Sequence, residues 1–569
     1  MDAGSLFGRL LDWERGGSLE IALASGSPPS SRRYLDETLV LQTALNDSSG
    51  DGCLTDCMTM REGGAHDPYN QILRVVECTR GLLELDIMVA GRFDYGDVRP
   101  WIRSHGDALH TAVGGNDGLV IWCDHPLEHV DGHDLRARVV LRAGDRLRLS
   151  LRFVRPEELE LGTLEGFEAH ELDERLDETL AWWRRWSSRG HGVDGPESAG
   201  ARRSALVLKA LQYAPTGAIV AAPTTSLPEA PGGARNWDYR YSWVRDSAFS
   251  ARSLVELGFE READGFRRFV QRSAAGHAAD LQIVYGIGGE RRLNEMELDL
   301  DGWRGARPVR VGNAASGQLQ LDAFGELLNL AWRWHRRGHS PDDDLWRFLL
   351  DLVDTAAERW QEPDAGIWEW RGDPKHFVHS KAMCWAALDR GLRLAEECLR
   401  KAPERRWRRA RDEVRAAIEE EGFDERRGAF VQAFGSREID AAVLLLPSFG
   451  FVDWDDERMV GTVDVVREAL DDGHGLLRRY TEDDGLGDTE GAFLACTFWL
   501  VECLARQDRT EEAQAAFDRA LATANDLGLF GEEYWSQDGE IIGNFPQGLT
   551  HLAHIAAAVA LAESRRPPA

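Results

Sequence analysis

The sequence predicts an antiparallel β-sandwich followed by an (α/α)6 barrel. Two observations carry that reading. Apolar residues alternate with period two from Ser18 to about Val154, and after Ala201 the period becomes 3.6. A third supports it: 569 residues exceed the roughly 100–200 of one typical domain.

The first part contains SLEIALA, TLVLQTAL, ILRVVECT, LLELDIMV, LVIWC, RARVVLRA and RLRLSLRF, split by Gly, Asp and Asn turns. Even spacing of short strands points to an antiparallel sandwich over 1–170. Asp173–Gly190 is charged and helical and ends on Trp182, Trp183 and Trp186, so 171–200 is expected to be a helical linker. Helical runs then follow near 201–213, 244–257, 262–276, 320–337, 344–360, 380–398, 403–420, 438–446, 460–470, 490–506, 510–526 and 547–563. Twelve helices in consecutive pairs suggest a closed ring of six hairpins over 201–569, with a simple bundle as the alternative. No strict repeat of 34–45 residues is present, which counts against a solenoid. Long loops at 215–243, 278–319, 362–379, 424–437, 471–489 and 528–546 are the expected functional segments, and alternate loops of a hairpin ring share one face.

Composition narrows the function. Hydrophobic residues make up 43% and charged residues 29%, ordinary for a soluble protein. A net charge of −30 argues against general nucleic-acid binding and against docking on anionic membranes. No run approaches 18 apolar residues and the N-terminus lacks a signal-peptide pattern, so the cytoplasm is the expected location. Eight scattered cysteines read as reduced and structural. The CxxxC of Cys53 and Cys57 has no second ligand pair at a zinc spacing. His376 and His379 likewise lack a third ligand, so no metal or cofactor is expected.

Three loops combine aromatic, arginine and carboxylate residues. RNWDYRYSWVRDSAF (235–249) offers Trp237, Asp238, Arg240, Trp243, Arg245 and Asp246 at a helix start. Asp246 there could simply cap the helix, yet a cap needs no Trp and Arg beside it, whereas a sugar needs an aromatic platform and hydrogen-bond partners. In DAGIWEWRGDPKHFVHSKAMCW (364–385), Glu369 lies between Trp368 and Trp370. Indole neighbours would desolvate the carboxyl and raise its pKa, as a general acid requires; the plain alternative is a Glu in a surface turn. GLFGEEYWSQDGEIIGNFPQGLTH (528–551) carries Glu532 and Glu533, one a possible base while the other faces solvent, or both part of a polar turn. Two carboxylates on loops of one face suggest glycoside hydrolysis, inverting if about 6.5–9.5 Å leaves room for a water. G-x-S-x-G, H-E-x-x-H and Walker A motifs are absent, and Tyr285–Gly289 reads as a glycine-rich loop.

Taken together, these blocks resemble glycoside hydrolase family 15, whose bacterial members include glucoamylases and trehalases. The resemblance runs over most of the chain: AAPTTSLPEAPGGARNWDYRYSWVRDSAF (221–249), ERRLNEMELDLDGWRGARPVRVGNAASGQLQLDAFGE (290–326), GIWEWRGDPKHFVHSKAMCWAALDR (366–390), RRYTEDDGLGDTEGAFLACTFWLVE (478–502) and LFGEEYWSQDGEIIGNFPQGLTHLAHIAAA (529–558). It implies the same sandwich, linker and (α/α)6 barrel. By motif position Glu369 matches the family's general acid and Glu532 its general base. Trp243, Arg245 and Asp246 match the segment that grips the terminal glucose, and Trp368 flanks the acid. Trp303 and Arg307 match a loop lining the same pocket. Arg479 and Tyr480 match another sugar-contacting segment, with Glu490 close after it.

The implied activity is exo-acting, inverting hydrolysis of a small α-glucoside. Trehalose is favoured by the NWDYRYSWVRD and HFVHSKAM blocks, ahead of maltooligosaccharides or dextran. An inverting phosphorylase is the alternative from another reaction class, and the candidate base Glu532 counts against it. One departure is expected to matter. Bacterial members usually begin with a GSIDW-like strand motif, and this chain starts after it, at SLFGRLLDW, so the sandwich is expected to lack an edge strand or the start to be placed late.

Overall fold

The computed structural model describes residues 2–161, 166–274, 277–482 and 490–566. The chain divides into two compact units: residues 3–190 with 300–305, and residues 191–299 with 306–569.

The first unit is antiparallel β-structure built on one long strand. Gln71–Ala90 runs for 20 residues, although the sequence reads as two strands, ILRVVECT and LLELDIMV. Its first half pairs with Gly50–Met58 on one side and Arg146–Val154 on the other. Its second half pairs with Ser18–Leu23 and Asp134–Arg142. The change of partners falls at Gly81, whose φ of 69° is open to glycine and strained for other residues. A turn signal in the sequence is thus a bend within one strand. Leu41–Asn46 and Ser31–Tyr34 extend one edge of the first group, and Asp117–Cys123, Leu109–Gly114 and Trp101–Ser104 the other.

Alternation explains the packing. In Asp134–Arg142, Leu135, Ala137, Val139 and Leu141 are buried while Arg136, Arg138, Val140 and Arg142 face outward. Arg138 lies opposite Asp86 and donates to both its oxygens at 2.9 Å. The core draws Leu23, Leu54, Val76, Leu85, Leu119 and Leu149 from both groups of strands. Cys57 lies in this unit as a free thiol, pushed up to about 12 by burial. The helix Ala169–Ser187, expected as a linker, groups with this first unit, and Trp183 meets both Trp182 and Trp186 edge to face.

The second unit is helical. Among its described residues, six helices touch in a closed circuit: Val244–Glu256, Asp322–His335, Val378–Glu397, Ala441–Phe449, Leu494–Arg506 and Gly548–Ser564. The intervening helices, such as Glu260–Ser273, Asp343–Arg359 and Glu404–Glu421, pack against members of that circuit. Composition sorts the two layers. Val378–Glu397 is buried almost all round, as an enclosed helix must be. Glu404–Glu421 buries only Trp407, Ala410, Val414 and Ile418, one stripe at three- and four-residue spacing. Gly325 allows close approach within the circuit, because a Cβ there would meet the Met383 carbonyl at 2.3 Å. Ala441–Phe449 is a 3-10 helix where α-helix is expected, since Pro447 removes a donor and Gly450, at φ 77°, ends it. No described helix is long and apolar enough to cross a membrane.

Candidate active site

A cavity opens at the N-terminal ends of the circuit helices. The loops that precede those helices carry most of its lining: Glu229, Arg235, Trp237 and Tyr239 before Val244–Glu256, Ile367–Arg371 before Val378–Glu397, Arg479, Tyr480 and Phe493 before Leu494–Arg506, and Glu532 and Gln547 before Gly548–Ser564. Trp243, Arg245 and Asp246 enter from the start of Val244–Glu256. Two further loops act from behind the wall. Gln320 accepts from Arg245 at 2.9 Å, Gln318 donates to the Glu369 carbonyl at 3.2 Å, and Asp440 accepts from the Trp368 indole at 2.8 Å.

Glu369 sits on a sharp turn at φ 59°, a left-handed conformation that costs a non-glycine residue about 1–2 kcal/mol. Such strain gathers where geometry serves function. Its side chain is 20% exposed. The indole that contacts its carboxyl is Trp243, not the neighbours Trp368 and Trp370: Trp243 Nε1 donates to Glu369 Oε1. Trp368 instead packs against Phe493, Trp499 and Tyr480, and Trp370 against Phe377 and Tyr480. Burial pushes the Glu369 carboxyl up, against the opposing pull of Arg245, 3.6 Å away, and of the Trp243 N–H. Arg245 also faces Asp246 at 3.3 Å and Asp322 at 3.7 Å. Asp246 does not occupy the cap position, which belongs to Trp243.

Glu532 and Glu533 part company. Glu532 lines the cavity, and its Oε1 accepts from Gln547 Nε2 at 3.3 Å while Oε2 has no hydrogen-bond partner. Glu533 begins the short strand Glu533–Trp535 and points elsewhere: it is fully buried, and its Oε2 accepts from the Gly491 amide at 2.9 Å. The expectation that one of the pair faces solvent is therefore corrected; strand alternation turns Glu533 inward. Around them four carboxylates share two guanidiniums. Arg479 holds Glu490 through Nε at 2.9 Å and Nη2 at 2.5 Å, and reaches Glu229 at 3.1 Å and Glu533 at 3.8 Å. Arg235 pairs with Glu490 at 2.5 Å. Burial raises Glu229, Glu532 and Glu533, with neighbouring carboxylates adding to the rise and Arg479 opposing it.

Trp243, Arg245, Asp246, Trp368, Glu369, Arg479, Tyr480 and Glu532 thus line one cavity. Arg307 and Glu490 are not part of that lining. Leu300–Gly305, with Trp303, belongs to the first unit, where Gly302 donates to the Leu11 carbonyl and Asp301 to Asp12. Arg307 is 54% exposed and faces Asp299 at 3.9 Å. Glu490 stands behind the wall, on Arg235 and Arg479. His379 is buried edge-on to Phe449 and pushed down to about 3, so it is neutral, while His376 stacks on Phe434. Sequence reasoning missed Glu229, Tyr239, Arg371 and Gln547. All four lie inside recognised blocks, Glu229 and Tyr239 within 14 residues of Trp243, Arg371 two residues after Glu369 and Gln547 in the block of Glu532, and proximity to those segments was the available signal.

The sequence profile of glycosyl hydrolases family 15 matches residues 195–559. A trehalase of Mycobacterium tuberculosis is 37% identical, over 98% of this chain and 85% of that protein. A trehalase of Thermoplasma acidophilum is 41% identical, over 68% of this chain and 67% of that protein. A bacterial glucoamylase complexed with acarbose has the same fold, with a TM-score of 0.72 at 13% identity over 97% of this chain and 86% of that one.

Proposed function

The chain belongs to glycosyl hydrolases family 15 and is a glycoside hydrolase, and from that premise we propose that it splits α,α-trehalose with water into two glucose molecules, inverting the attacked centre. Glu369 is the general acid and Glu532 the general base. The closed circuit of six helices, with its outer layer, is read as an (α/α)6 barrel that follows a β-sandwich in the chain.

The observation that carries the reading is the contrast between two carboxyls in one cavity. Trp243 donates to Glu369 Oε1, so Oε1 is an acceptor and the acid's proton belongs on Oε2. Desolvation favours that protonated form. Glu369 Oε2 then gives its proton to the glycosidic oxygen as the bond breaks. Glu532 Oε2, without a partner in the protein, takes a proton from the attacking water. Glu532 must be ionised to do so. Glu229, Glu490, Glu532 and Glu533 outnumber Arg235 and Arg479, so the cluster retains protons; Glu533, which has no cavity face, is the member that holds one without cost to the reaction. Arg245 and Asp246 are the hydrogen-bonding grip on the terminal glucose, and Trp237, Trp368 and Tyr480 the aromatic walls. The relatives named trehalases support trehalose as the substrate.

Glucose release from trehalose, maltose, maltotriose and isomaltose, each with and without phosphate, tests the proposal. Release from trehalose, with β-glucose as one initial product, is the expected result. Release mainly from maltooligosaccharides would move the activity to a glucoamylase type, and glucose 1-phosphate would replace hydrolysis by phosphorolysis.

A further inference from the structure

Glu532 has one oxygen bonded and one free, and Gln547 makes the difference. Gln547 is 2% exposed, lines the cavity and stands just before the helix Gly548–Ser564. Three of its bonds bear on the base. Its backbone amide donates at 3.0 Å to the carbonyl of Phe530, two residues before Glu532. Its Oε1 accepts from the Leu549 amide at 3.3 Å and so caps the helix. Its Nε2 donates to Glu532 Oε1 at 3.3 Å. The order of the side-chain bonds is forced: a backbone N–H only donates, so the amide oxygen must face Leu549 and the NH2 group must face Glu532. An NH2 group does not accept, so Glu532 Oε1 is held as an acceptor.

Glu532 is fixed from other sides too. Its carbonyl accepts from the Leu494 amide at 3.1 Å. Its side chain lies against the main chain of Gly543, where an added Cβ would stand 2.9 Å from Glu532 Cβ and 3.0 Å from Oε2. Resting on the reading of Glu532 as general base, we propose that Gln547 is the positioning residue for that base: its amide, oriented by the helix N-terminus, holds Oε1 as an acceptor, so that Oε2 is the oxygen that takes the proton from water.

Gln547 exchanges no atom and no electron. In the step it serves, a water O–H bond breaks and the proton joins Glu532 Oε2. The electron pair so freed on the water oxygen bonds to the anomeric carbon, and the glycosidic pair leaves on the oxygen that Glu369 protonates. The bond from Gln547 also favours the ionised base, because a donor stabilises a carboxylate. Burial and Glu229 raise Glu532, and Arg479 and Gln547 oppose that rise. Tyr239 is a further titratable neighbour, and Glu533 follows in the chain.

The test compares Q547M, Q547S and E532Q with the parent by steady-state trehalose hydrolysis across pH, with Tm measured for each. Met fills the room of Gln and offers no donor. Ser keeps a preferred helix cap but is too short to reach Glu532. Both variants should lose about tenfold in kcat, less than the 10²–10⁴ of a reacting base, with KM little changed. Losing a donor to the charged form raises Glu532, so the acid limb of the kcat profile should move up by about one to two pH units, most in Q547M. Q547S should keep the parent's Tm, which separates the hold on the base from the helix cap. An acid limb that stays in place in Q547M, or in Q547S should Q547M not fold, overturns the proposal. E532Q separates the two readings: full activity there defeats the base assignment itself, whereas an inactive E532Q beside an unmoved profile in Q547M defeats only the role of Gln547.

Discussion

The two units handle charge in opposite ways. In the sheet unit charges come in matched pairs at the rim: Arg74 with Asp56, Arg92 with Asp134, Arg148 with Asp124 and Asp173, Arg138 with Asp86. The interior between them is apolar, mainly Leu, Val and Ile. In the helical unit charge goes inside. Asp322 and Glu326 are buried on Asp322–His335, and neither Asp322 oxygen nor Glu326 Oε1 bonds to another side chain; Lys381 and Asp364 are also buried. Burying a polar group without a partner costs about 1–3 kcal/mol. The comparison teaches that one unit is organised for stability and the other bears unfavourable burial where chemistry needs low dielectric and displaced proton affinities.

Five substitutions test that contrast. Glu369→Gln and Glu532→Gln should each cost about 10²–10⁴-fold in kcat for trehalose while leaving Tm close to the parent's, measured by glucose release and calorimetry. A loss of Tm in step with activity would place these residues with the sheet unit's structural pairs. Leu85→Ala, at a fully buried site in the sheet core, should cost about 2–5 kcal/mol in denaturant unfolding with kcat unchanged.

Glu326→Gln should act in the opposite direction. Burial and Asp322 raise the Glu326 carboxyl in the folded protein, so that state binds the proton more tightly than the unfolded chain does. The stability this confers is full below the unfolded pKa and is lost as pH rises through the folded pKa. Gln mimics the neutral acid, so the variant should match the parent at low pH and exceed it in alkaline buffer, by about 2–4 °C in Tm. A variant less stable at every pH would mean that the charged form is the favoured one. The smallest effect belongs to the sheet surface: Arg138→Ala should leave the unfolding midpoint close to the parent's, and added salt should erase any difference.

Much of this arrangement was legible beforehand. Period two and period 3.6 marked the strands named at the outset and the helices of the circuit, because one face of each is apolar. The loops were legible from their length and from Trp, Arg and Glu in close order. What stayed hidden was long-range. Nothing near Glu369 announces that its indole partner is 126 residues away at Trp243, nor that φ at Glu369 is positive. Gly81 reads as a turn because local sequence cannot tell a bend from a chain reversal. Nor does the continuous motif around Trp303 show that Leu300–Gly305 groups with a different unit from the residues on either side of it.

One feature of the helical unit bears on how much insertion the chain tolerates. Cavity residues come from the connections that lead into the circuit helices, and the connections that leave those helices supply none of them. Gly338, in the exposed turn between Asp322–His335 and Asp343–Arg359, has open space around it. Gly372, in the connection that carries Glu369, packs its backbone against the Trp370 indole at 2.6 Å from an added Cβ. A short epitope spliced in at Gly338 should leave hydrolysis intact, and the same epitope at Gly372 should abolish it. The outgoing connections are thus the places to splice in tags or new recognition segments, while the cavity lining belongs to the incoming connections and the helix starts they lead into.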